Sequence, residues 1–190
     1  MASVSGAPVL RYGALDRAHL TKHLYQLAKR VGVKQVTMRE LAAEAGTRPS
    51  SVYYHVRDKC ELLDLLVESV LAQIEVPQSG DWNRRLVTLY TNAWKVLVEV
   101  PGIAALLQEH PHTAAATEMD RASRAILGES GLPKREFEAA HATLYVHLLG
   151  SVQLEHVRPA GTTASAPNDW AFAYGLRVLL SGLRNEVGRA

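Results

Sequence analysis

Two short helices separated by one glycine and one proline constrain this chain more than any other feature. The run Thr37-Met38-Arg39-Glu40 is a capping box: the threonine hydroxyl accepts from a first-turn amide, and the glutamate reaches back to the amide of the cap residue. Gly46 can adopt the left-handed conformation that ends a helix, and Pro49 suits the first position of the next helix. The sequence therefore predicts a helix that starts after Thr37 and stops at Gly46, and another from Pro49 to about His55.

A longer helix is predicted on each side of this pair. Apolar side chains recur mostly at steps of three or four over Leu15 to Val31, with Asp16 at the start and Gly32 at the end. Asp58 caps a fourth helix, whose apolar stripe continues to Ile74. The arrangement is a helix-turn-helix, a pattern found in DNA-binding proteins and also in proteins that never touch DNA.

Charge is unevenly distributed along the chain. Residues 1–60 contain ten Lys and Arg against four Asp and Glu, a net charge of +6, and the other 130 residues carry −4, which leaves +2 for the whole chain. Positive charge concentrated in a short segment favours a polyanionic partner, because neutralising phosphates releases condensed counterions. The same charge would also suit a merely solvated face.

The stretch from Val36 to Leu66 carries a more specific pattern. The register of Thr37, Leu41-Ala42, Ala45-Gly46, Tyr53, His55 and Lys59 resembles the DNA-binding signature of the TetR family of bacterial transcriptional regulators. The sequence Tyr-Tyr-His-Val followed by Asp-Lys is similar to the tetracycline-repressor branch. The resemblance covers about residues 13–72, and beyond it only the architecture of the family is carried over.

The resemblance implies that the third helix lies in the major groove of double-stranded DNA. Arg48 could then read guanine bidentately, and Pro49 could touch a thymine methyl group, although helix initiation also explains this proline. Arg39, on the second helix, would contact either a base or a phosphate. The candidate base-contacting residues are Arg39, Arg48, Pro49, Ser50, Ser51 and Tyr54.

A second set of residues is expected to fix the register of the protein on DNA without reading its sequence. Hydroxyl, imidazole and ammonium groups at helix ends can donate to phosphate oxygens. The resemblance places Thr37, Tyr53, His55 and Lys59 in this set.

Beyond residue 75 the sequence predicts helices only, because no segment alternates apolar and polar residues over the length of a strand. The predicted fold class is all-α, with a helical bundle at the C-terminal end. We expect a helix-turn-helix domain over residues 1–60, a connecting helix over 59–75 and a bundle for ligand binding and dimerisation over 76–190. The helices of the bundle are predicted at about 81–101, 102–109, 117–127, 134–157 and 169–187, with a loop at 158–168.

The last two predicted helices are apolar around much of their girth, so each needs a second surface to bury it. Ala171, Gly175 and Gly182 would let another helix approach closely. Two such helices from each of two subunits would form a four-helix interface, and the resemblance implies the same homodimer. A dimer would present two recognition helices about 34–36 Å apart, matching a palindromic operator. The stripes could instead be only the core of a monomer.

The resemblance also implies a small-molecule effector inside each bundle and no cofactor or bound metal. Aromatic and polar side chains on apolar helices are the candidate contacts, since they would supply walls and orienting hydrogen bonds. They are Tyr90, Trp94, His110, Tyr145, His147 and Gln153. The expected outcome is a repressor that the ligand releases from its operator. The identity of the effector, the operator, repression against activation, and release against promotion of DNA binding all stay open.

Two other functions were weighed against this one. A helical-bundle metalloenzyme is suggested by eight histidines and by Glu138 and His141 in a Glu-x-x-His motif, but such sites need that motif on two helices. A helix-turn-helix used only for protein interaction would not need the basic contacts. We therefore predict no enzymatic activity.

The sequence predicts a cytoplasmic protein, associated with the nucleoid when bound to DNA. The sequence contains no run of 18 or more apolar residues, which a helix would need to span a bilayer, and the N-terminus does not resemble a signal peptide. The single cysteine, Cys60, excludes an intrachain disulfide and fits a reducing compartment.

Overall fold

A computed structural model describes residues 16–157 and 169–188, and this part of the chain is helical throughout with no strand. The prediction of an all-α fold is confirmed. The loop predicted at 158–168 lies outside the described residues. The helices are α1 (Arg17–Val31), α2 (Met38–Glu44), α3 (Pro49–His55), α4 (Lys59–Leu71), α5 (Trp82–Leu97), α6 (Ile103–Glu109), α7 (Ala114–Gly128), α8 (Lys134–Val157) and α9 (Asp169–Val187).

The caps of the N-terminal helices form as the sequence predicts. The side chains of Asp16, Thr37 and Asp58 each accept a hydrogen bond from the backbone amide three residues later. At the end of α2 the amide of Thr47 donates to the carbonyl of Ala42 at 2.9 Å, while Gly46 adopts a φ of 61°. This double turn satisfies the last carbonyls of α2 and aims the chain into α3.

Three helix boundaries, in α4, α5 and α7, differ from the expected ones. The helix α5 ends at Leu97 rather than near residue 101, where the amide of Val100 donates to the carbonyl of Leu97. The helix α4 ends at Leu71 rather than near residue 75, because the amide of Ile74 donates to the carbonyl of Leu71 and closes a tight turn. The helix α7 begins at Ala114 rather than Thr117, because the Thr113 hydroxyl accepts from the amide of Ala116 and caps it earlier. A short 3₁₀ turn at Val33–Gln35, which the sequence did not predict, follows α1.

One hydrophobic core runs through the described part of the chain. The helix α4 lies at its centre, since α4 packs against α1 on one side and against α5, α6 and α7 on the other. Leu62 and Leu66 of this helix are fully buried. The helices α8 and α9 pack against each other and against α5. Because α4 contributes to both parts of the core, it connects the N-terminal helices to the bundle mechanically.

A second junction joins the turn after α1 to the turn before α6. The amide of Val33 donates to the carbonyl of Pro101 at 2.8 Å, and Gly32 and Gly102 both adopt positive φ angles, of 76° and 90°. A Cβ on Gly32 would lie 3.1 Å from the Pro101 carbonyl oxygen. Glycine is therefore needed at Gly32 both for its backbone conformation and for this close approach.

Candidate nucleic-acid interface and ligand cavity

The helix α3 is held by one buried side chain and leaves its other face open to solvent. Val52 is fully buried, whereas Arg48, Pro49 and Ser50 are exposed and Tyr54 is 87% exposed. Ser51 is half-buried. The start of α3 therefore projects as a polar ridge from the protein surface, which is the geometry that groove insertion requires.

The residues predicted to contact phosphates flank this ridge. The Thr37 oxygen accepts from the Glu40 amide at 3.1 Å, which leaves its hydroxyl hydrogen free to donate. Tyr53 is exposed at the end of α3, and the half-buried His55 ring meets the Tyr54 ring edge-on at 5.2 Å. Arg39 is exposed on α2.

Lys59 makes a contact within the protein that the sequence did not predict. Its ammonium group donates to the backbone carbonyl of Val36, the residue before the start of α2. Burial of the amine lowers the pKa of Lys59. An ammonium group has three donors, so it can still reach a phosphate, but one donor ties the start of α4 to the start of α2.

The arginines near this face differ in whether a carboxylate neutralises them. Arg30 pairs with Glu44, and Arg57 pairs with Glu61 at 3.0 Å. Within residues 16–157 and 169–188, neither Arg39 nor Arg48 makes an ion pair or hydrogen bond through its side chain. Their charges are therefore available to a polyanion at no cost in lost protein contacts.

A partly open cavity of about 540 Å³ lies between α4, α5, α6, α7 and α8. Its wall is mainly apolar, and the polar side chains in it come from α5, α7, α8 and the turn after α6. A mostly apolar cavity of this size with a few convergent polar groups is suited to a small organic molecule. The polar lining residues are Tyr90, His112, Thr117, Asp120, Ser123, His141 and Tyr145.

Two pairs of polar groups lie within this wall. The Tyr90 hydroxyl lies 3.0 Å from the Ser123 hydroxyl, and burial raises the pKa of Tyr90 to about 12. His141 Nε2 lies 3.5 Å from Asp120 Oδ1, and burial, assisted by the charge of Arg124, lowers the pKa of His141. Burial also raises the pKa of Tyr145. The cavity therefore offers a neutral imidazole and two neutral phenols as hydrogen-bonding groups.

Of the six side chains predicted to contact a ligand, Tyr90 and Tyr145 line the cavity and four do not. Trp94 is buried in a stack on Phe172, and His147 stacks on the other side of that ring and hydrogen-bonds the Phe172 carbonyl at 3.1 Å. His110 is bonded to Asp64, and Gln153 is exposed. These four face other helices or solvent, because the rotation of each helix is set by tertiary packing.

Sequence reasoning missed His112, Thr117, Asp120 and Ser123 as lining residues. His141 was noticed only as half of a metal-binding motif, whose Glu138 in fact pairs with Arg124 at 3.0 Å. The signal that could have found Ser123 and His141 is a polar residue on the buried stripe of an amphipathic helix, since both are buried.

The helices α8 and α9 present apolar side chains to solvent in the single chain. These are Val146, Leu154, Val157, Trp170, Tyr174 and Val178, each about half exposed or more. Gly175 is not open to another helix, because a Cβ there would lie 2.5 Å from Cε1 of the His147 ring, whereas Gly182 has open space around it. Gly175 therefore serves the packing of α8 on α9 within the chain.

The protein has two parts. A surface-exposed helix-turn-helix is joined through α4 to a helical bundle that contains a cavity. The family described as "Bacterial regulatory proteins, tetR family" matches residues 22–66, which span α2, α3 and most of α1 and α4. Over residues 22–66 the chain therefore matches the DNA-binding region of the TetR family.

Two curated relatives extend the similarity into the bundle. An HTH-type transcriptional regulator of Saccharopolyspora erythraea is 30% identical over 148 residues, covering 74% of this chain and 62% of the relative. The tetracycline repressor protein class A from transposon 1721 of Escherichia coli is 27% identical over 183 residues, covering 83% of this chain and 85% of the relative. The chain spans less than two thirds of the length of the first curated relatives that it matches.

A crystal structure of BioQ with its double-stranded DNA operator has the same fold. It superposes with a TM-score of 0.71 at 21% identity, covering 90% of this chain and 99% of that one. No helix in the described parts of this chain is long and apolar enough to cross a membrane.

Proposed function

We propose that this chain is a sequence-specific DNA-binding transcriptional regulator that acts as a homodimeric repressor and is released from a palindromic operator by a small molecule. The observation that carries the proposal is the polar ridge at the start of α3, where neither Arg39 nor Arg48 pairs with a carboxylate of the described residues. We assign residues 1–60 to the DNA-binding domain, 59–75 to the connector and 76–190 to the bundle.

The individual roles on DNA follow from exposure. Arg48 begins α3 and can bring its guanidinium fork to the edge of a guanine, with Ser50, Ser51 and Tyr54 reading neighbouring bases. We assign phosphate contacts to Thr37, Tyr53, His55 and Lys59 and leave Arg39 between the two classes. Pro49 starts the helix and lies exposed where a thymine methyl could meet it.

The homodimer is supported by the apolar side chains that α8 and α9 leave exposed. Trp170 is 69% exposed and Val146 is 67% exposed. Both lie on long helices that could pack against the same helices of a second copy. Burying this face against a second copy would remove it from water and form a four-helix interface. A charge placed on it, Val178→Asp, should shift the chain to monomers, as sedimentation would show, and weaken operator binding.

Ligand control is supported by the cavity and by its contact with α4. Leu71, the last residue of α4, and Ile74, in the turn after it, line the same wall as Tyr90 and Tyr145. A ligand in the cavity would push on the helix that carries the DNA-binding domain. To release DNA it must bind the released conformation better, and each tenfold change needs about 1.4 kcal/mol of differential affinity. A relative named as a tetracycline repressor supports a small organic effector.

The test is selection of bound sequences from a random duplex pool, followed by mobility-shift titrations of the recovered site. We expect a palindrome with half-sites one helical turn apart. Arg48→Ala should weaken binding to that site by about 1–3 kcal/mol, roughly 5-fold to 150-fold, with little change on random DNA.

Arg57→Ala is the matched control, because Arg57 is exposed but already paired with Glu61 outside the ridge. Its operator affinity should stay within a few fold of the wild type. Equal losses on operator and random DNA for Arg48→Ala would remove its assigned role. Recovery of no sequence above random from a folded dimer would contradict the proposal and favour a helix-turn-helix used for protein interaction.

We also propose that the chain is not an enzyme, since its curated relatives are transcriptional regulators. The Glu138 and His141 pair is engaged with Arg124 and Asp120, which supports a structural role for it. We propose a cytoplasmic location, with nucleoid association when the operator is bound.

A further inference from the structure

Three side chains used by neither the ridge nor the cavity come together where α4 meets the end of α6. Cys60 and Asp64 lie one turn apart on α4, and His110 is the residue that ends α6. One potential ligand atom from each of these residues lies within 4.8 Å of those of the other two. In the described part of the chain no other three residues of the metal-binding types converge in this way.

We propose that Cys60, Asp64 and His110 form a binding site for a divalent transition metal of the zinc class, which clamps α4 to the end of α6. Thiolate, carboxylate and imidazole are the three ligand types that zinc takes in proteins, and three protein ligands leave a fourth tetrahedral position for water. The mixed sulfur, nitrogen and oxygen set disfavours magnesium and calcium, which prefer oxygen ligands alone.

The geometry needs only a small rearrangement. His110 Nδ1 now donates to Asp64 Oδ1 at 2.6 Å. Metal–ligand bonds of about 2.0–2.3 Å put neighbouring tetrahedral ligand atoms about 3.4 Å apart. Binding would therefore replace this hydrogen bond, and the distance between Nδ1 and Oδ1 would grow by less than about 1 Å. For Nδ1 of His110 to bind the metal, it must give up its proton, and the neutral ring then carries its proton on Nε2 instead. The thiol proton of Cys60 passes to solvent, because the thiolate is the ligand.

A hydrogen bond between two helices would account for His110 and Asp64 but not for Cys60. The cysteine is exposed, so a metal ion can reach it from solvent. The His110 side chain is 14% exposed and the Asp64 side chain is 45% exposed. The site therefore has one anchored ligand and two accessible ones, an arrangement that allows a metal to enter and leave.

The site lies on the route between the cavity and the DNA-facing surface. His110 directly precedes Pro111 and His112, which line the cavity. Cys60 directly follows Lys59, whose ammonium group is bonded to the start of α2. A bound metal would hold these two segments at a fixed distance. That such a clamp alters operator affinity rests on the proposed function, whereas the metal site itself does not.

The test is titration of the full-length protein with Co²⁺, after treatment with a chelator and with Cys60 kept reduced by a phosphine. Cobalt bound to a thiolate gives a charge-transfer absorption in the near ultraviolet, and Cys60 is the only cysteine in the chain. We expect the band to saturate at one cobalt ion per chain and to be displaced by Zn²⁺, which binds such ligands more tightly.

The variants identify the ligands. Cys60→Ser should abolish the band, and His110→Gln, which can keep a hydrogen bond to Asp64, should weaken cobalt binding at least tenfold. His19→Ala is the matched control, because His19 pairs with Asp16 at 2.9 Å without a cysteine nearby, and it should leave the titration unchanged. Zn²⁺ should raise the Tm of the wild type but not that of Cys60→Ser.

No thiolate band with reduced wild-type protein would overturn the proposal, as would a band of unchanged affinity in His110→Gln. Circular dichroism of each variant before titration separates loss of a ligand from loss of the fold. Because none of these measurements uses DNA, a failed operator selection with a positive cobalt titration would count only against the proposed function.

Discussion

The N-terminal helices and the bundle use their polar residues in different ways. Around α2 and α3 some polar side chains cap their own helix, as Thr37 does, and others remain exposed, as Arg39 and Arg48 do. One of them, Glu44, pairs with Arg30 of α1. In the bundle several polar side chains bond to another helix, as Tyr90 does to Ser123 and His147 to the carbonyl of Phe172.

This difference separates local from tertiary control of structure. A cap is satisfied within three residues of the chain, so its outcome is written in a short sequence motif. A contact such as that between Tyr90 and Ser123 joins residues 33 positions apart, so it depends on how α5 and α7 rotate against each other. The N-terminal region therefore leaves polar groups exposed for a partner, whereas the bundle uses several of its polar groups in contacts between helices.

The largest expected effect tests whether the two regions unfold as one cooperative unit. Leu62→Ala removes a fully buried side chain of α4 from the common core and should lower the free energy of unfolding by about 2–5 kcal/mol. Because α4 packs on both regions, one cooperative thermal transition should move to lower temperature. Val87→Ala, on an exposed position of α5, is the control. Two separate transitions would show that the regions unfold independently.

Gly32→Ala would test the junction between the regions. The φ of 76° and ψ of 161° at Gly32 form a conformation that other residues rarely adopt, and the added methyl group would press on Pro101. We expect a loss of about 1–3 kcal/mol in a chemical denaturation. Gly128→Ala should instead be neutral or slightly stabilising, since Gly128 lies in α7 with open space around its Cβ position. Equal results for both variants would contradict this account.

Thr37→Ala would test local control in the N-terminal region. Loss of the hydrogen bond from the Glu40 amide should cost about 1 kcal/mol of stability. Thr37→Ser keeps a hydroxyl and should recover most of that loss. If the hydroxyl also donates to a phosphate, Thr37→Ala should lower operator affinity even when the variant is fully folded. Mobility shifts at a temperature where both variants are folded would measure this loss of affinity.

The smallest expected effect concerns pH and belongs to the bundle. Burial lowers the pKa of His141 in the folded protein, so the unfolded chain takes up its proton first as pH falls. The stabilisation is complete above the unfolded pKa of about 6.5 and is lost as pH falls through the folded pKa. Wild-type Tm should therefore drop more than that of His141→Gln between about pH 8 and about pH 5.5. Parallel profiles would show that His141 does not carry this dependence.

The sequence predicted the fold better than the ligand site. Helix starts marked by Asp16, Thr37 and Asp58 are confirmed, because a capping side chain and the amide it satisfies lie three residues apart. The sequence predicts the end of α4 too far along the chain. The buried Ile74 continues the apolar pattern, but it lies in the turn that follows the helix.

The cavity lining was predicted only in part. Trp94 and His147 have the chemistry of ligand contacts, but both pack on Phe172, which lies on α9. The cluster of Cys60, Asp64 and His110 carried no sequence signal at all, since 46 residues separate the last two. The identities of the side chains were visible in the sequence, whereas their neighbours were not.

The sequence by itself determined the all-α class, the helix-turn-helix and its match to the TetR family over residues 22–66. These features depend on periodicity, caps and turn residues that act within a few positions of each other. Only the tertiary structure decided that Lys59 bonds to Val36, that His141 and Asp120 share the cavity wall, and that α4 joins both parts of the core. Those outcomes depend on helix rotations and crossings, which are set by packing between distant segments and not by any local pattern.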